Sequence, residues 1–278
     1  MEEYINNYES TCDLIISCNS INTEQIKKQL QEQNISKYEL FDLQKFCIPH
    51  TENRLLSYSQ PGQMEDVILY HALLHDKELF YIDVGSNDPV KDSVTKLLYD
   101  MADAHGINIE PQIELCRLTQ KERPRDISLN CGIGEKHSSM LLHVCGGFST
   151  FETVNREYES RRIEVYTLAE VCSTYIKQGQ KISFLKIDVE GFERQVLFGA
   201  DLMKYRPLII EIESVDAENN MPTYVQWEDY LIQQRYHFAY AWGVNRYYVA
   251  DERRDLDQRF IGVGELSRKY QVYFMGHM

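Results

Sequence analysis

Nine residues, Leu79 to Asn87 (LFYIDVGSN), constrain this chain more than any other stretch. Leu79 to Ile82 is an unbroken run of apolar and aromatic β-formers, the pattern of a parallel strand covered on both faces. The run ends at a carboxylate, Asp83, where strands of an open α/β sheet present side chains to a ligand crevice. Gly85 lets the backbone pass close to a ligand, and Asn87 belongs to the few residue types that tolerate positive φ. The stretch predicts a small-molecule site at the tip of a first strand. A tight βα turn without a ligand is the competing reading.

The flanking pattern alternates helix and strand. A helix over 63–75 leads into the first strand, and a helix over 93–104 follows it. A short strand at 107–109 ends at Glu110-Pro111, a helix covers 113–119, and a strand at 127–129 ends at Asn130-Cys131-Gly132. Strands at 140–144 and 162–166 flank a polar insert, 145–161. A helix at 168–176 precedes a strand at 182–187, a helix near 193–198, a strand at 208–212 and a helix at 225–234. Strands at 237–241 and 246–250 are separated only by a WGVN turn, which predicts an antiparallel hairpin. The expected fold is α/β: a doubly wound, mostly parallel, seven-stranded Rossmann-like sheet with an antiparallel terminal hairpin. Residues 12–41 predict a small βαβ extension, so the division expected is 1–50 and 51–278. The stretch from Cys47 to Gly62 reads as an irregular connector.

The net charge of −14 argues against nucleic acid and anionic membrane surfaces as partners. Seven scattered cysteines without a C-x-x-C favour reduced thiols over disulfides or zinc. The first ten residues lack the basic and apolar regions of a signal peptide, and no apolar run reaches membrane-spanning length. A cytoplasmic location is the expectation. His71 and His75 sit four apart without a third ligand and read as ordinary histidines.

Asp83, Glu110 and Asp188 are acidic strand ends. The first two close consecutive strands and fall side by side on the carboxyl edge, where an acid on the second strand suits a ribose diol. The turn Gly85-Ser86-Asn87-Asp88-Pro89 has one glycine instead of G-x-G-x-x-G; Asp88 repels a pyrophosphate, and Pro89 lacks an amide donor. A nucleoside with a cation and no phosphate fits better, and S-adenosylmethionine is such a molecule. Asp188 and Glu190 could instead simply favour the positive N-terminus of the following helix, the reading preferred for Glu193, whereas for Asp188 a functional role is preferred.

The set IDVGSN (82–87), INIEP (107–111), NCGIG (130–134), LKIDVEGFE (185–193) and GVNRYYVA (243–250), with the lead-in SYSQPGQMEDVIL (57–69), closely resembles the FkbM-type methyltransferase family over about residues 55–255. Pro89 departs from it, standing where the family often has glycine. The resemblance implies a class I S-adenosylmethionine-dependent fold and O-methylation, often of sugars or glycoconjugates. By that resemblance Asp83, Gly85, Ser86 and Asn87 line the methionine end of the cofactor; Glu110, beside Pro111, holds the ribose. Asn130, Cys131 and Gly132 approach the adenine, while Asp188, Val189 and Glu190 face the methyl group or the acceptor.

Asp188 and Glu190, with His143 behind them, are the candidate bases for a saccharide hydroxyl. Metal is not expected, although Asp188 with Glu211 or Glu213 could offer oxygen ligands. Lys186 is expected to pair with a neighbouring carboxylate. The insert at 145–162 reads as a mobile lid. Trp242 and Arg246 suit a sugar bearing phosphate or carboxylate, unless Trp242 only packs an edge strand. A nucleotide-dependent oxidoreductase or epimerase, and a non-catalytic adaptor, are the alternative functions.

Overall fold

The computed structural model describes residues 15–18, 23–34, 39–42, 53–152, 158–216 and 219–275. The chain divides into two compact units, Met1–Arg54 and Leu55–Met278. In the first, β1 (Ile15–Cys18) and β2 (Glu39–Asp42) pair in parallel, with α1 (Thr23–Glu32) between them in sequence. Of the extension expected over 12–41, residues 12–14, 19–22 and 35–38 lie outside the described residues.

The larger unit follows in order as β3 (Arg54–Ser57), α2 (Glu65–Leu73), β4 (Phe80–Val84), α3 (Lys96–Met101), β5 (His105–Ile109), α4 (Ile113–Glu122), β6 (Ile127–Leu129), β7 (Gly132–Ile133), β8 (Ser138–Val144), β9 (Glu159–Tyr166), α5 (Leu168–Tyr175), β10 (Ile182–Ile187), α6 (Glu193–Phe198), β11 (Pro207–Glu213), α7 (Glu228–Gln233), β12 (Tyr236–Trp242), β13 (Asn245–Ala250), α8 (Val263–Lys269) and β14 (Gln271–Phe274). The central sheet has the order β12-β13-β11-β10-β4-β5-β6. β6, β5, β4, β10 and β11 run parallel; β13 is antiparallel to both β11 and β12.

The chain leaves β4 in one direction, through β5 to β6, and later continues from β10 in the other. The crevice between the ends of β4 and β10 is therefore a topological switch point, the place where ligands bind in such sheets. β4 and β10 are buried along their whole length, in keeping with their mainly apolar, unalternating composition.

One row across this sheet breaks the apolar rule. Register places Asn108, Asp83, Lys186, Glu211 and Tyr247 side by side on five adjacent strands, all buried. The rows on either side are mainly aliphatic, for example Ile107, Ile82, Leu185 and Ile210. Buried polar groups persist only when they find partners. Tyr247 donates to Glu211 at 3.0 Å, Thr95 donates to Asp83 at 3.0 Å, and Asn108 donates to Asp126 at 2.8 Å.

Arg123, only 1% exposed, closes one end of the network. It donates to Thr95, to Ser93, to Asn108 Oδ1 at 3.3 Å and to the Pro89 carbonyl through Nε at 3.1 Å. Ser93 and Thr95 thus anchor the loop through Arg123, and the helix expected over 93–104 is confined to Lys96–Met101.

The connector expected at 47–62 contains β3, which pairs with β14 in a separate two-stranded sheet. Four residues bounded by turns carry too little periodicity to reveal a strand whose partner lies some two hundred residues away. The helix expected over 225–234 is instead a 3₁₀ turn, Tyr224–Gln226, followed by α7. β7, β8 and β9 form their own small sheet, with the strands in the spatial order β7-β9-β8. No helix among the described residues is long and apolar enough to cross a membrane.

Replacing Arg123 by Met strands four acceptors in a dry interior. Unfolding in urea is expected to show a loss of about 3 kcal/mol; an unchanged midpoint contradicts this account of the loop's anchorage.

Candidate functional site

A cleft of about 680 Å³ opens at the switch point. It is lined by Asp83 and the turn Gly85–Asp88, by Glu110–Gln112, by Cys131–Ile133, and by Lys186 with Asp188–Glu190. This volume suits a nucleoside-sized ligand together with part of a second molecule.

The turn after β4 is built for close approach. Gly85 has φ +78°, and a Cβ there would lie 1.8 Å from the Asp188 carbonyl oxygen. The turn and the end of β10 therefore touch backbone to backbone, which only glycine permits. Asn87, at φ +49°, follows in the left-handed region. Across the cleft Glu190 takes the same unusual conformation, φ +53°, immediately before Gly191 at φ +96°. Such backbone strain in a residue other than glycine or asparagine concentrates at binding sites. The Thr150 hydroxyl holds this turn by donating to the Glu190 carbonyl at 2.8 Å.

Asp83 lies inside β4 rather than beyond it and still reaches the cleft. Its Oδ2 accepts from Thr95, whereas Oδ1 is buried without a hydrogen bond and sits 3.4 Å from the Lys186 ammonium. Ser86 Oγ is a second buried atom lining the cleft without a partner. Glu110 accepts the amides of Asn87 at 2.9 Å and Gln112 at 2.8 Å, one on each oxygen, and so ties the turn after β4 to the loop after β5. Burial pushes its carboxyl above the usual range. Each of these oxygens keeps a lone pair for a ligand hydroxyl. Asp88 Oδ1 accepts the amides of Val90 and Lys91, both at 2.8 Å, and shapes the loop on the cleft wall.

Lys186 stands at the centre. Its ammonium donates to the Gly85 carbonyl at 3.1 Å and pairs with Asp83 at 3.4 Å and Asp188 at 3.3 Å. Burial works against its charge, but Asp188, Asp83 and Glu211 more than offset this and hold it above the ordinary lysine range. Glu211 is itself pushed well up by burial and by nearby Glu65.

The walls carry nine acidic side chains (Glu65, Asp83, Asp88, Asp92, Glu110, Asp188, Glu190, Glu213, Asp216) against two lysines, Lys91 and Lys186. Asp188, Glu190 and Glu213 bring oxygens within 4.8 Å of one another, close enough to share a cation. Desolvation, then Asp188 and Glu193, raise Glu190 to about 8; desolvation and Asp188 raise Glu213 to about 10. Glu193, the first residue of α6, accepts the amides of Val189 and Gly191 and organises the loop, as its helix-start position suggests.

Four residues singled out in the sequence stand elsewhere. Asn130 does not line the cleft; its amide donates to the carbonyls of Glu110 and Pro111 and fixes their loop. His143 also lies outside the lining and pairs with Ser160 at 2.9 Å. Arg246 is consumed by Glu228 at 2.7 Å and the Tyr248 hydroxyl, with its guanidinium over Tyr224 and Phe238, so it is withdrawn from any anionic ligand. Trp242 donates to the Gly62 carbonyl at 2.9 Å, at the sheet edge.

Within the insert, 153–157 lie outside the described residues. Gly147, Ser149 and Phe151 line the cleft, and Gln112 donates to the Gly146 carbonyl at 3.2 Å. Gln60, Gln63 and Glu65, from the lead-in, complete the far wall with Val244 and Asn245. A glutamine-rich turn before a helix gave no sign of this role, because their approach depends on how α2 packs.

With this geometry in place the comparison with known families decides the family. The sequence profile of the methyltransferase FkbM domain matches residues 83–238. The chain belongs to the FkbM methyltransferase domain family. The match begins at Asp83, within β4, and spans the sheet to β12. Among curated proteins no relative matches. The FkbM domain thus includes Asp83, Glu110, Lys186, Asp188, Glu190 and Glu213, whereas the far wall from Gln60 to Glu65 precedes it.

The crowded carboxyls carry a stability signature. A Glu190 held near 8 contributes its stability below the ordinary glutamate pKa and loses it as pH rises through about 8. Glu190→Gln is therefore expected to melt like the wild type at pH 5 and above it at pH 9. Thermal melts with no such divergence contradict the crowding.

Proposed function

We propose that the protein transfers a methyl group from S-adenosylmethionine to a hydroxyl of a sugar or glycoconjugate. The observation that carries this reading is the surplus of acidic over basic side chains in the FkbM domain's cleft. Such a surplus suits a cationic cofactor and repels a pyrophosphate. Two buried, unsatisfied oxygens, Asp83 Oδ1 and Ser86 Oγ, support a ligand rich in donors.

S-adenosylmethionine supplies an electrophilic methyl group on a positive sulfur. Asp83 and the turn Gly85–Asn87 would hold its amino-acid end, and Glu110 would accept hydrogen bonds from its ribose diol. Cys131 and Gly132 would border the base. A polar far wall supports a polyhydroxylated acceptor: Gln60, Gln63, Asn220 and Asn245 offer amides that both donate and accept. Among the described lining residues there is no arginine or histidine to select a phosphate.

The protein's own work is alignment and proton removal. Holding oxygen, methyl and sulfur in line removes much of the entropic barrier. A sugar hydroxyl must lose its proton as it attacks, and Asp188 or Glu190 would accept it. Glu190, near 8, is matched to that task around neutral pH.

Calorimetry tests the cofactor reading. The wild type is expected to bind S-adenosylmethionine and S-adenosylhomocysteine with micromolar affinity, and Asp83→Asn and Glu110→Gln to weaken both at least tenfold, about 1.4 kcal/mol. A folded wild type with no affinity for either overturns it.

A further inference from the structure

Lysine is an unusual choice for the middle strand of a doubly covered sheet. Strand β10 is otherwise Ile, Ser, Phe, Leu and Ile, all buried, and Lys186 is buried with them. A hydrocarbon side chain would pack there without the cost of desolvating an ammonium. Lysine therefore has to be explained by what its charge does.

The charge touches three segments that build different parts of the cleft. Asp83 belongs to β4, the Gly85 carbonyl to the turn after it, and Asp188 to the end of β10. For Asp188, Lys186 is the single cation within ion-pair distance among the described residues, and Asp83 Oδ1 has no hydrogen bond to replace it. Lys91, the other lining lysine, is exposed. Beyond Asp188 stand Glu190 and Glu213, whose carboxylates converge with it. One fixed positive charge thus stands between the cofactor turn and a converging group of acids.

We propose that Lys186 is a positioning and specificity-determining residue whose fixed charge sets the cleft's relative affinity for the sulfonium cofactor and its neutral thioether product. This rests on the reading of the cleft as an S-adenosylmethionine site. The two ligands share the amino acid, ribose and base, and differ by one methyl group and one positive charge. Lys186 holds Asp83, Gly85 and Asp188 in register, which both ligands need. Its ammonium also tempers the field of the acids, which acts on the shared amino-acid end of both ligands but separates them through the sulfonium. Too strong a field would retain the charged cofactor; too weak a field would favour the product. The lysine sets the balance between them.

Calorimetric dissociation constants for both ligands, measured on the full chain, test this without an acceptor. The readout is the ratio of the thioether's constant to the sulfonium's. Lys186→Met is expected to weaken the thioether strongly and to raise the ratio about tenfold, since the effects on the shared amino-acid charges cancel in the ratio and leave that on the sulfonium. Asp188→Asn removes a negative charge from the opposite side of the pair and is expected to lower the ratio about tenfold. Opposite signs establish a charge balance.

Equal weakening of both ligands, or shifts of the same sign, overturns the proposal and leaves Lys186 a structural residue. Should Lys186→Met fail to fold, Asp188→Asn decides alone: side-chain exposure of 39% makes it tolerant of substitution, and an unchanged ratio overturns the proposal. A folded wild type that binds neither ligand refutes the cofactor reading itself, a distinguishable result.

Discussion

A single buried ammonium joins the parts of this cleft. Lys186 reaches from the central strand to the neighbouring strand, the turn beyond it and the acid at its own strand's end. Without its charge, Asp83 and Asp188 would face each other's field in a poorly solvated space. Like charges at such distances disfavour one another's ionisation. With it, the two strands flanking the switch point can both end in carboxylates, and a cleft lined by acids can keep a defined shape.

The surrounding structure supports that arrangement at successive distances. Thr95 fixes the other oxygen of Asp83, Arg123 fixes Thr95 and the 89–95 loop, and Asn108 continues the row to Asp126. On the far side Glu211 and Tyr247 extend it to β13. Glu110 ties adjacent loops by accepting one amide from each, and Asn130 holds the same loop from the third strand. Glycine at 85 permits the backbone contact with Asp188, and Glu190 accepts a strained conformation that Thr150 secures. These are the costs of bringing charged and polar side chains together at one edge, offset by the aliphatic rows that flank them.

Where the physics is local, it can be read from the chain. Ile182–Ile187 and Ile127–Leu129 coincide with their expected strands because apolar runs bounded by turns specify buried strands directly. The acidic strand ends and the single glycine at 85 likewise pointed to this cleft. What escaped was decided at long range. β3 needs β14 to exist, the lead-in glutamines need α2 to bring them over the cleft, and Arg246 looked available until Glu228 took it. His143, a candidate base ranked behind the two acids, belongs to the separate small sheet and lies outside the cleft lining. Lys186 was visible as a strand lysine, while its engagement of Asp83 and the Gly85 carbonyl requires knowing that β4 is its lateral neighbour.

For the proposed methyl transfer, the acid-rich cleft at the switch point of this FkbM methyltransferase domain has to receive a ligand that brings positive charge and hydroxyl donors to defined places. A crystal structure of the complex with S-adenosylhomocysteine tests it most directly. The account requires electron density between the ends of β4 and β10, with the ribose hydroxyls on Glu110 and the sulfur turned toward Asp188 and Glu190. Density at another place, or a ligand whose ribose lies away from Glu110, contradicts it.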